Sequence, residues 1–107
     1  MITISKMKTL LEGVNGFANK VVYYEWPIGE APSLPFVCYF SNTEDEFAAD
    51  NINYFAVPNF AVELYSETRD LATEALFEAM FKANDLYYSK EAEYLADERC
   101  WVTVFSI

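Results

Sequence analysis

Near the N-terminus the apolar residues Ile4, Met7, Leu11 and Val14, together with Lys8, recur at helical spacing. Thr3 or Ser5 can cap that segment, and Gly13 with the Asn15-Gly16 pair ends it, which predicts a short helix over residues 3–14. Lys20 to Tyr24, rich in Val and Tyr, reads as a strand. Pro27, Gly29, Pro32 and Pro35 then make Trp26 to Pro35 an extended, irregular connection. Phe36 to Phe40 is apolar on both faces, as expected of a strand inside a sheet. Asn42 to Asn51 is acidic and reads as a loop or hairpin arm. Ile52 to Val57 and Asn59 to Tyr65 read as strand, with Pro58 marking a bulge or an edge. Phe60, Val62 and Leu64 alternate there with Ala61, Glu63 and Tyr65, which suits one buried sheet face. Asp70 can cap a helix running to about Ala83. Asn84-Asp85 turns the chain into Leu86 to Ser89, Glu91 to Arg99 reads as a polar return, and Cys100 to Ile107 as a final strand.

These elements predict an α+β fold. A mixed or antiparallel sheet of about four to six strands is packed by the N-terminal helix and a second helix near residues 70–83. On the second helix Leu76, Phe77, Met80 and Phe81 share one arc, and Ala72, Ala75, Ala79 and Ala83 a neighbouring one. Glu74, Glu78 and Lys82 form its only clearly polar edge, with Glu78 and Lys82 spaced for an i,i+4 pair. A helix on the surface of a monomer leaves more of its circumference polar. Either a loop of the same chain or a neighbouring subunit therefore covers the alanine side, and Ala75 and Ala79 become interface candidates.

The 107 residues suit one domain, and a 53% apolar, 18% aromatic composition supports an ordered core. The net charge of −10 is uneven: no Lys or Arg lies between Val21 and Thr68, while Glu25, Glu30, Glu44, Asp45, Glu46, Asp50, Glu63 and Glu67 do. Such a surface repels phosphate and anionic lipid, which argues against tight nucleic-acid binding. It is either a solubility device or a surface that docks a basic partner or avoids DNA. Within Asn42 to Asn51, the carboxylates of Glu44, Asp45, Glu46 and Asp50 surround Phe47, an apolar side chain that a solvated loop has no reason to carry. These five residues are further interface candidates.

Catalytic readings fail on residue types. Without His, neither a Ser–His nor a Cys–His nucleophile can be built. Carboxylate pairs are inevitable by chance among seventeen acidic residues. No glycine-rich phosphate loop occurs; Glu44, Glu46 and Asp50 offer oxygen ligands of the kind a divalent cation takes, but the calcium-loop pattern is absent, with no Gly at its turn position. No catalytic residue, cofactor or metal ligand is therefore assigned. Cys38 and Cys100, set among large apolar residues, read as buried free thiols in a reducing compartment. No apolar run is long enough for a membrane span.

The chain runs from a short N-terminal helix through VVYYEWPIGEAPSLPFVCYF and NTEDEFAADNINYF to VPNFAVELYSETRDLATEALFEAMF, and closes with EYLADERCWVTVFSI. Over roughly residues 20–107 it resembles the small tail-completion or tail-terminator proteins of the head–tail module of long-tailed phages and prophages of Gram-positive bacteria. The resemblance rests on the aromatic strand and Pro-rich turn at Val21 to Pro35, the segment Phe47 to Asn51, and the strand-to-helix junction at Glu63 to Asp70. It implies a structural protein of the virion, assembled in the host cytoplasm. Its subunits would form a ring, commonly hexameric, that stops tube growth and offers a surface to the head. Partners would be further copies of the chain, tail-tube proteins and head-connector proteins, with DNA passing through the ring. Other head–tail components, and an acidic regulatory protein occupying a basic partner, remain the alternatives.

Overall fold

The computed structural model describes residues 3–41 and 60–107. Along the chain run α1 (Ile4–Glu12), β1 (Val21–Tyr23), β2 (Phe36–Ser41), β3 (Phe60–Ser66), α2 (Leu71–Ala83), β4 (Ser89–Leu95) and β5 (Cys100–Ser106). The strands form one mixed sheet in the order β1-β2-β3-β5-β4, with β1 parallel to β2 and all other pairs antiparallel. The α+β class and both helices are as the periodicity predicts. Thr3 accepts the N–H of Lys6 as N-cap of α1, Gly13 closes that helix, and Asp70 accepts the N–H of Thr73 at 3.1 Å to cap α2.

Both helices cover one face of the sheet. Met7 and Leu11 from α1, Val14 and Phe17 just after it, and Phe77 and Phe81 from α2 meet Val37, Tyr39, Phe60, Val62, Leu64 and Phe105 in one core. Phe17 and Phe77 cross edge-on with ring centroids 4.9 Å apart, which ties the chain after α1 to α2. Phe77 and Phe81 are fully buried, and each contributes about 1.5–3 kcal/mol by leaving water.

Three expectations need correction. Glu91 to Arg99 is not simply a polar return: Ser89–Leu95 is an edge strand paired along its length with β5. Its charged residues tolerate the position because an edge strand leaves one side to solvent. Glu74 does not belong to a polar edge but is 1% exposed, because partners outside the helix satisfy it. Glu78 bonds Tyr88 and Lys90 rather than Lys82. The strand expected at Ile52 to Val57 lies outside the described residues.

Candidate interaction surface

The rotation of α2 about its axis decides what the molecule presents. Glu74, Phe77 and Phe81 point inward, and Glu74 is held from three directions. Arg69 Nε donates to Oε2 at 3.0 Å, Lys90 Nζ lies 3.1 Å from Oε1, and Thr103 Oγ1 donates to Oε2 at 3.1 Å. Burial by itself pushes the Glu74 carboxyl up, but these hydrogen bonds outweigh it and hold the group below the ordinary Glu value. Lys90 also reaches Glu78 at 3.1 Å, and Tyr88 donates its hydroxyl to Glu78 at 2.7 Å. The cluster stitches α2 to β4 and β5.

With that side inward, the opposite side of α2 is solvent-exposed and apolar. Leu71 is 62% and Leu76 44% exposed, and Ala72, Ala75, Ala79 and Ala83 lie exposed between them. Leu76 therefore leaves the core arc in which its spacing placed it, and the structure brings Ala75 and Ala79 together on an open face. Beside that face runs a groove between the helices, about 390 Å³ in volume, lined by Thr9, Leu10, Gly13, Val14, Asn15, Leu76 and Met80. Lys6 sits one turn before Leu10 on α1, and Lys82 one turn after Glu78 on α2; both are exposed.

The other face of the sheet has a different character. Register places Glu63, Val104 and Glu91 in one row, and Tyr65, Val102 and Glu93 in the next. The two valines form the floor of a trough whose rim is Glu91 and Glu93 on one side and Glu63 on the other. None of the described ion pairs involves these three carboxylates. Tyr65 donates its hydroxyl to Glu63 at 3.0 Å, and burial, then that carboxylate, push its ionisation up. Further along this face Trp26, Phe36, Cys38, Tyr65 and Cys100 line a shallow cavity, so both thiols are buried against aromatic rings. Burial first, then Glu63 and Glu25, push the Cys38 thiol up to about 11.

Glu44, Asp45, Glu46, Phe47 and Asp50 lie outside the described residues. Among the described residues no group of three or more His, Cys, Asp or Glu is placed to hold a metal ion, and no helix is long and apolar enough to cross a membrane. The reading from sequence missed Leu71, Leu76 as an exposed residue, and the trough. The alternation of Glu91 and Glu93 with Lys90, Ala92 and Tyr94 was the available signal for β4, but it was masked by weak strand propensity. No family model matches this chain, nor does any curated protein or solved structure.

Proposed function

We propose that this protein is a structural subunit that assembles with copies of itself, as a tail terminator forming a ring at the head-proximal end of a phage tail tube. The observation that carries the self-assembling part is the apolar outer face of α2, where two leucines and four alanines stand exposed side by side. Apolar patches rimmed by polar residues mark interaction surfaces on soluble proteins. The buried ionic cluster supports the reading in a second way, because it fixes the rotation of α2 that turns that face outward. The assignment to a phage tail rests on the sequence resemblance at Val21 to Pro35, Phe47 to Asn51 and Glu63 to Asp70. Partners in this reading are other copies of the chain, the tail tube and a head connector, and the acidic surface lets DNA pass without adhering.

Native mass spectrometry over a concentration range, combined with electron microscopy of the protein mixed with purified tail tubes, tests the reading. The expected result is a closed oligomer, commonly of six, and density capping one end of the tube. A monomeric mass at every concentration together with bare tube ends would overturn it.

A further inference from the structure

We infer that copies of this chain join head to tail, the helical surface of one subunit seating in the acidic trough of the next. This rests on the self-assembly reading above and names the two surfaces that meet. The first is the outer face of α2 with its groove against α1, apolar through Leu10, Leu76 and Met80 and flanked by the exposed Lys6 and Lys82. The second is the trough over Val102 and Val104, rimmed by Glu63, Glu91 and Glu93.

Two properties match. Each surface has an apolar centre, and the exposed charges near the two are of opposite sign, Lys6 and Lys82 on the helices against Glu91 and Glu93 on β4. Like surfaces are disfavoured: trough against trough sets carboxylates against carboxylates, and helix face against helix face sets Lys6 and Lys82 against their copies.

The two surfaces lie on opposite faces of the sheet, since the helices cover the face that carries Val62 and Phe105 while Val102 and Val104 point the other way. One subunit therefore uses both at once, toward two different neighbours. Such a heterologous contact does not stop at a dimer; it closes into a ring when the rotation per subunit allows.

Charge reversal on each surface tests the pairing. One variant carries Lys6→Glu and Lys82→Glu; the other carries Glu91→Lys and Glu93→Lys. All four positions are exposed, and circular dichroism with thermal melting checks that each variant folds. Alone, each variant sets like charges across the junction, and its self-association should weaken by about tenfold or more. Mixed in equal amounts, each helix face meets a trough of opposite sign, and assembly should return as particles in which the two variants alternate. If the wild-type chain assembles while neither variant weakens, or mixing restores nothing, the pairing is wrong and the ring reading stands on another interface. If the wild-type chain remains monomeric at every concentration, both fall.

Discussion

The Nζ of Lys90 lies 3.1 Å from Oε1 of Glu74, so a side chain on the edge strand holds the one carboxylate that α2 buries. Turning α2 to satisfy Glu74 also sends Phe77 and Phe81 into the core and leaves Leu76 and the alanines facing water. The exposed apolar face is thus a consequence of a polar contact on the helix's opposite side. Losing Lys90 would loosen the register of β4 as well as the seat of α2, because the same ammonium reaches Glu78.

Glu74→Ala should destabilise the fold by about 2–3 kcal/mol, at the lower end for a broken buried ion pair because Arg69 and Lys90 remain partly hydrated. Urea denaturation measures it. Glu78→Ala, whose carboxylate is partly exposed, should cost clearly less. Equal losses for the two variants would show that burial of Glu74 carries no special weight.

Acid should destabilise the fold from about pH 4.5 downward. Burial raises the Glu74 carboxyl, but the bonds from Arg69, Lys90 and Thr103 prevail and lower it below the ordinary 4.5. Tyr88 and Lys90 lower Glu78, and Thr73 lowers Asp70 below 3.8. Groups whose folded values are depressed stabilise the fold above their unfolded values and lose that contribution as the pH falls through the folded ones. Thermal melts from pH 7 to pH 3 should therefore be flat at first and drop below about pH 4.5, with Glu74→Gln showing a shallower drop.

Cys38 and Cys100 should react slowly with a thiol reagent in the folded protein and quickly once it is unfolded. Burial raises both thiols, Cys38 to about 11 from an ordinary 9.0, which lowers its thiolate fraction about a hundredfold at neutral pH. Stopped-flow labelling in buffer and in denaturant compares the two states. Fast modification of either thiol in buffer would contradict the packing of that sheet face.

Leu76→Asn should leave the melting temperature nearly unchanged and weaken self-association, since Leu76 is 44% exposed on the outer face of α2. Its neighbour Phe77 is fully buried, and Phe77→Ala should cost about 3–5 kcal/mol of stability. Parallel melting and sedimentation of the two variants separates folding from assembly. A large melting shift in Leu76→Asn would place that residue in the core instead.

Phe47→Ser should likewise weaken assembly at little cost to the melting temperature, on the sequence argument that an apolar side chain among Glu44, Asp45, Glu46 and Asp50 serves a contact. A markedly lower melting temperature with assembly intact would make Phe47 an internal anchor.

Local pattern alone was enough for α1, β1, β2, β3, β5 and α2 with their caps at Thr3 and Asp70. Helical period, alternation and capping chemistry act between residues near one another in the chain. Two burial readings came the same way, the inward alternation of Phe60, Val62 and Leu64 and the apolar settings of Cys38 and Cys100. Tertiary structure decided the rest. Ser89–Leu95 carries Lys90, Glu91 and Glu93 within its first five residues and becomes a strand through its backbone pairing with β5, reinforced by Lys90. Glu74 sits at a position that periodicity assigns to solvent, and is buried because Thr103 and Lys90, on strands that follow α2, arrive to satisfy it alongside Arg69. The sheet order, with β5 between β3 and β4, brings Val102 and Val104 between Glu63 and the pair Glu91 and Glu93. A trough assembled from three strands depends on that pairing, which no window of the sequence contains.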